Sequence, residues 1–420
     1  MSVMNPRQTK AEQAIDECHL LATMTEEPGR ITRRFLTPPV AQVHEHLRTR
    51  MTALGMTVTV DAVGNLRGLW QPGEAAARRL ILGSHIDSVP DAGAFDGVLG
   101  VVLALHLVEE ARRIGLPLAI EVIAFSEEEG VRFGVPFLGS RAVAGRFDPA
   151  LLALRDTDGI SMEQAIRDFG LDPGKADQAL LSDDAIGYLE LHIEQGPVLD
   201  SEGLSLAVVT GIVGQVRYEV SFTGQANHAG TTPINLRQDA LAGAAEWIVA
   251  VEEAARSQPE NVREAGFVAT VGKISVEPNA ANVIAGHARV SLDVRSTNDR
   301  ELQNAVAALL DRAGAIATRR GLRCQTRKLL DQPAVPMDEK LTALLESSVA
   351  EAGFPARRLA SGAGHDSLIL ACRVPATMLF LRSPGGISHH PDESVREQDI
   401  EAALAVAILF MKRLGRLESF

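Results

Sequence analysis

The sequence predicts an α/β protein in which a larger α/β domain, built on a central mixed sheet, is interrupted by an inserted βαββαβ unit of ferredoxin-like type. Three observations carry this prediction. Apolar β-type runs alternate with long amphipathic stretches through the first half of the chain. From about Val216 the texture changes to strand, helix, strand, strand, helix, strand. Apolar runs then resume at residues 376–381 and 400–411 and close the first domain.

Taken in order, residues 80–83 form an apolar run, residues 98–114 an amphipathic stretch and residues 120–125 a second apolar run. That alternation is the signature of βαβ units, a sheet with helices laid on its faces. Residues 188–192 supply a third strand. Polar and acidic residues follow directly after these strands, at the carboxyl ends where ligands gather in open α/β sheets. The inserted unit reads as strand 217–222, helix 235–256, strands 267–276 and 283–294, helix 299–320 and strand 322–329, complete in itself. Its edges fall in glycine- or proline-containing stretches, 211–214 and 331–336. The expected division is 1–213 with 331–420 for the larger domain and 214–330 for the insert.

A length of 420 residues exceeds the size at which one hydrophobic core stops growing, a second reason to expect two domains. With 46% hydrophobic and 23% charged residues the chain has the composition of a folded protein. A net charge of -13 argues against a nucleic-acid partner, because no cationic surplus exists to displace counterions from phosphates. Cys18, Cys324 and Cys372 stand far apart with no CxxC pair, which fits a reducing compartment and leaves any metal to histidines and carboxylates. Residues 1–17 contain no apolar leader segment, and runs such as 402–411 are about half a membrane span. The expectation is a cytoplasmic protein with no membrane partner.

Chemistry concentrates at the strand ends. His85 and Asp87 follow the 80–83 run, and residues two apart in extended backbone share a face. Asp87 is thereby placed to fix the His85 imidazole from behind, as carboxylates do for metal-bound histidines. Asp96 lies between Gly93 and Gly97, just before the 98–114 helix, where glycines let the backbone crowd a bound ion. A loop acid capping that helix is the plain alternative. A phosphate-cradling glycine loop is not, since Asp96 would face the pyrophosphate. Glu127, Glu128 and Glu129 follow the 120–125 strand. Such charge runs are usually solvated faces, yet acids at the mouth of a buried strand repel one another unless a cation sits between them. His192 ends the third strand, with Gln195 three residues on, and His389 and His390 lie near the C-terminus. A lone histidine is more often packed or hydrogen-bonded than metal-bound; their shared placement after strands points to metal.

The strings GSHIDSV, AGAFDGVLG, SEEEG, LHIEQGP, GQANHAGTTP, PNAANVIAG, SGAGHDS and GISHHPDE occur in this order between about His85 and Glu393. On them the chain resembles the amidase, hydantoinase/carbamoylase family: N-carbamoyl-L-amino acid hydrolases, β-ureidopropionases and allantoate amidohydrolases, within the dimetal peptidase superfamily. The resemblance implies two divalent ions, zinc or manganese, with cobalt or nickel also suited to such donors. It implies that Asp96 bridges them, that His85 and His192 complete one site, that Glu128 and His389 complete the other, and that Glu127 is the catalytic base. Peptidase relatives carry an acid where this chain has His192, so the resemblance favours the ureido branch. His390 stands where many relatives carry asparagine and Val131 where they often carry serine.

The same resemblance implies substrate contacts from Gln195, His228, Asn282 and Arg295, with Gly364 and His365 bordering the pocket. His228 would steady the oxyanion as the insert closes as a lid, and Arg295 with Asn282 would hold the substrate carboxylate. Plain alternatives stand beside each: Arg295 paired with a nearby acid, Asn282 as a turn residue, His228 as a solvated loop histidine. The implied assembly is a homodimer through the insert. The expected activity is hydrolysis of the carbamoyl C–N bond of small ureido acids. A peptidase or N-acyl amino acid deacylase on the same scaffold, and a binding protein without catalysis, are the competing readings.

Overall fold

A computed structural model describes residues 8–73, 78–264 and 266–416. Residues 1–7 of the terminus read above as lacking a leader lie outside the described residues. The chain divides into two compact units, one running to Thr210 and including Met337–Arg358 and the chain from Gly364, the other Gly211–Pro336 with Leu359–Ala363. The second unit is thus wider at both ends than 214–330.

In the first unit a sheet runs in the order Thr57–Val60, Leu66–Trp70, Ala119–Phe125, Arg79–His85, Ala185–Ile193, Ala376–Leu381, Leu206–Ile212. The central strands are parallel, and the flanking ones antiparallel, so the sheet is mixed. Ala119–Phe125 is buried at every position. Parallel strands covered on both faces read as unbroken apolar runs, which is why 80–83 and 120–125 show no alternation. The helix Val98–Ile114 makes the crossover between them and stops at Gly115, a left-handed C-cap. It packs in the core with the N-terminal helix Lys10–Ala22, opened by a Thr9–Glu12 capping box, and with Glu397–Leu414. Because the central strands are parallel, their carboxyl ends share one edge. His85 stands opposite Phe125 in the register, and His192 opposite Phe380.

The second unit is an antiparallel sheet in the order Ile274–Glu277, His287–Ser296, Gly214–Thr223, Arg323–Gln332. In the unit's own strand order this is second, third, first, fourth, the ferredoxin-like arrangement. The helices Ala240–Arg256 and Asp299–Arg319 share a core with it around Trp247, whose indole N–H donates to the Leu309 carbonyl at 2.8 Å. The expected 267–276 strand is two pieces, Val268–Thr270 and Ile274–Glu277. Both pair with His287–Ser296, but the register slips by one between Thr270↔Asp293 and Ile274↔Val290, a bulge beside Gly272. The expected 283–294 strand also breaks. Val283–Ile284 pairs with Asn227–His228, and the chain changes partner at Gly286, where a Cβ would come 3.0 Å from the Ala226 nitrogen.

Candidate metal centre

His85 ends its strand with Nδ1 3.1 Å from the Asp87 carbonyl and Nε2 3.7 Å from Asp96 Oδ1. His192 donates from Nδ1 to the Ile193 carbonyl at 2.8 Å, which fixes its tautomer and turns Nε2 toward Asp96 Oδ1 at 3.2 Å. His389 Nε2 lies 3.1 Å from Asp96 Oδ2 and 3.3 Å from Glu129 Oε1. Asp96 therefore presents one oxygen to the His85 and His192 pair and the other to His389. It caps no helix: Gly97 takes the N-cap position of Val98–Ile114, at φ 67° and without a side-chain cap. A Cβ at Gly97 would sit 2.5 Å from the His85 ring, so glycine is required there by both conformation and space.

After Phe125 the chain bends, and the Asp87 carboxylate accepts the backbone N–H of Glu128 at 2.9 Å and of Glu129 at 3.0 Å. Asp87 is thus a clamp on two peptide groups, and it also stands behind His85, with its carbonyl 3.1 Å and its Oδ1 3.5 Å from Nδ1. The clamp decides which glutamates reach the histidines. Among the described residues, ligand atoms within 4.8 Å of one another form the groups His85, Asp96, His192; Glu190, His192, His365; Asp96, Glu129, His389; and His85, Glu128, Glu129. The carboxylate beside His389 is therefore Glu129, where the sequence reading placed Glu128. Glu127, read as the base, belongs to no such group among the described residues; its Oε1 accepts the Arg132 amide at 3.1 Å.

The donor set fits divalent cations. Asp96 Oδ1 and His192 Nε2 are buried and lie 3.2 Å apart, yet neither has a hydrogen-bond partner. Buried polar atoms in that state cost free energy unless something satisfies them, and a cation satisfies both. Burial pushes the Asp96 carboxyl up, but His192, His389 and His85 outweigh it and hold it well below the carboxylate range. Asp96 and Glu129 push His389 up to about 10. Burial, reinforced by Glu129, Asp366 and Asp87, lifts Glu128 well above its ordinary value against the opposing pull of His85. This is a field that favours positive charge among imidazole and carboxylate donors, the ligands of zinc and manganese rather than of softer, thiolate-bound metals.

Other expected residues divide between the units. In the first, Gln195 adopts φ 58° and donates from Nε2 to Asp96 Oδ2 at 2.9 Å. His365 is buried with its ring centroid 4.5 Å from that of His192, and burial, then His192, hold its pKa well below the ordinary value. Gly364 is packed against Phe137, whose Cζ would lie 2.6 Å from a Cβ. In the second unit, His228 stands in the Asn227–His228 strand, and the Ala229 amide donates to the Asn282 carbonyl at 2.9 Å. His228 Nδ1 accepts the amides of Gly230 and Thr231 at 3.0 and 3.2 Å, leaving Nε2–H as an exposed donor. Arg295 pairs with Asp293, Nε to Oδ1 at 3.0 Å, and donates to the Gly362 carbonyl.

The sequence reading missed Glu190 and Glu393. Glu190 accepts the Ser84 hydroxyl at 3.1 Å and the Ser367 hydroxyl at 2.6 Å beneath His192. Its position two residues before His192, on the same face of a strand, was the available signal.

Residues 81–413 match peptidase family M20/M25/M40. The chain is 35% identical to the allantoate deiminase of Arabidopsis thaliana, over 96% of this chain and 82% of that protein. It is 37% identical to the N-carbamoyl-L-amino acid amidohydrolase of Geobacillus stearothermophilus, over 91% and 92%. Among solved structures it is similar to an amidase of the hydantoinase/carbamoylase family from Burkholderia multivorans, with a TM-score of 0.90, 32% identity and 98% of each chain covered.

Proposed function

Because the chain belongs to peptidase family M20/M25/M40 and, within it, to the hydantoinase/carbamoylase amidases, we propose that it hydrolyses small ureido acids. It would cleave the carbamoyl C–N bond of N-carbamoyl-L-amino acids, or of relatives such as allantoate, releasing ammonia and carbon dioxide. The observation that carries this reading is the divided carboxylate of Asp96, facing His85 and His192 on one side and His389 with Glu129 on the other.

Two divalent ions, zinc or manganese, would share Asp96, one completed by His85 and His192 and the other by Glu129 and His389. When bound, such ions acidify a water and polarise the substrate carbonyl. Glu128 is the base in this scheme, in place of Glu127. Burial raises the pKa of both Glu127 and Glu128, but only the Glu128 carboxyl is grouped with His85 and Glu129, a placement that suits a residue that removes a proton from the attacking water and later hands it to the leaving nitrogen. Asp87 holds Glu128 and Glu129 in register through their amides.

On the strength of the shared motifs the proposed substrate contacts of the first unit are Gln195, Gly364 and His365; those proposed for the second unit are His228, Asn282 and Arg295. The Nε2–H of His228 is available to a developing oxyanion. Arg295 is held by Asp293 through Nε and Nη2 and by the Gly362 carbonyl through Nη1, so binding a substrate carboxylate would require it to exchange part of these partners. We further propose a cytoplasmic homodimer paired through the second unit, with no nucleic-acid or membrane partner. No helix among the described residues is long and apolar enough to cross a membrane.

The test is ammonia release from N-carbamoyl-L-amino acids, N-carbamoyl-β-alanine and allantoate by protein loaded with manganese or zinc, with a chelated control. Metal-dependent release from at least one is expected. Cleavage of dipeptides or N-acetyl amino acids with no ammonia from the ureido panel would make the protein a peptidase or deacylase instead.

A further inference from the structure

We infer that Glu393 is a positioning residue that sets the separation of the two loops carrying Asp96 and His389, and with it the span of the metal centre. Glu393 is 6% exposed. Its Oε1 accepts the backbone N–H of Phe95 at 2.9 Å and of Asp96 at 3.0 Å. Its Oε2 accepts the hydroxyl of Ser388, the neighbour of His389, at 3.0 Å. One carboxylate thereby ties together segments 297 residues apart in sequence. Gly93, in the Asp96 loop, lies flat against it: a Cβ there would fall 2.3 Å from Glu393 Cβ, so the loop is seated on this side chain at a contact only glycine allows.

His389 shows why such a tether is needed. Its φ is 55°, the left-handed region that a non-glycine residue occupies at a cost, and such a conformation persists only where the surroundings over-determine it. On its N-terminal side the Ser388–Glu393 hydrogen bond supplies that constraint. On its C-terminal side the Glu393 amide donates to the His390 carbonyl at 3.1 Å and closes the turn. Glu393 reaches the histidines and Asp96 only through peptide groups and a hydroxyl, so it acts on the donors' geometry rather than as a donor itself.

The chemistry separates reach from charge. Glutamine at this position keeps an oxygen for the two amides, and its NH2 can donate to the Ser388 oxygen, so the tether survives. Alanine leaves both amides without an acceptor and frees the Ser388 side of His389.

The experiment measures the affinity of the full-length protein for zinc alone by chelator competition, in the wild type, Glu393→Gln and Glu393→Ala, with thermal unfolding of each metal-free protein in parallel. The alanine variant is expected to bind zinc about 10- to 100-fold more weakly, the range seen when outer partners of a metal site are removed, and the glutamine variant close to wild type. Wild-type affinity in the alanine variant overturns the inference, and so does an equal loss in both variants, which would assign the effect to charge. Should the alanine variant fail to fold, Ser388→Ala carries the test: it cuts only the His389 side of the tether, weaker binding supports the inference and unchanged binding overturns it. The inference rests on the metal-centre reading, and the two fail differently: a wild type with no measurable zinc affinity removes the metal centre, whereas unaltered affinity in the variants removes only the role of Glu393.

Discussion

Asp96 lies within 3.7 Å of three imidazoles, and two of them, His85 and His192, approach the same oxygen. A site organised in this way is sensitive to any backbone change that moves one ring. Gly97 is the most exposed to that risk, because a Cβ there would meet His85 at 2.5 Å while φ is 67°. Gly97→Ala is expected to lower metal content after dialysis, since φ 67° with ψ -53° is a backbone conformation alanine avoids and the clash adds to it; metal content equal to wild type by elemental analysis would contradict this. His85, Asp96, His192 and His389 were legible as candidates because strand ends and neighbouring glycines leave a mark in one dimension. Which of Glu127, Glu128 and Glu129 lies beside His85 and His389 was not. Three identical side chains in a row are distinguished only by the bend after Phe125 and by the Asp87 clamp on the Glu128 and Glu129 amides, a tertiary contact from another strand's end.

The elements that position the site carry titrating groups of their own. His44, in the helix Pro38–Ala53, packs edge-on against Phe169 at 5.6 Å, and burial, with Arg48 nearby, pushes its pKa down to about 4. An unfolded chain would take a proton on this imidazole near pH 6.5, whereas the folded helix resists until about pH 4. The stability that neutral His44 permits is therefore present above pH 6.5 and lost as pH falls from 6.5 to 4, up to about 3 kcal/mol. His44→Leu is expected to flatten the fall of the urea midpoint over that interval, and an unchanged slope would place the acid sensitivity elsewhere. The apolar face of this helix, Val40, Val43, Leu47 and Met51, repeats at three and four residues, a period the sequence carries although no helix was expected there. The broken strands of the second unit were less legible. A bulge at Gly272 and a change of pairing partner at Gly286 depend on which strand lies alongside, and the β-type run reads the same with or without them.

Each unit of the molecule has its own hydrophobic core, one gathered around Val98–Ile114 and the other around Trp247. Removing the largest fully buried side chain of the second should leave the metal donors of the first untouched. Trp247→Ala is expected to destabilise the second unit by about 3–5 kcal/mol, giving an early unfolding transition with bound metal retained through it. Loss of metal in step with that transition would show the units to be one cooperative body. The boundary near 211–214 was legible from its glycines; the recruitment of Leu359–Ala363 was not, because a short strand far along the chain bears no mark of the unit it joins. For the whole molecule, the proposed function is that of a two-metal hydrolase of ureido acids in which Glu128 would move the proton. The most direct measurement compares ammonia release and bound metal in the wild type, Glu127→Gln and Glu128→Gln. The expected result is a metal-dependent wild type, a Glu127→Gln variant that still turns over, and a Glu128→Gln variant slowed about 10²- to 10⁴-fold with its metal intact. An active Glu128→Gln variant beside an inactive, fully metallated Glu127→Gln variant would contradict it.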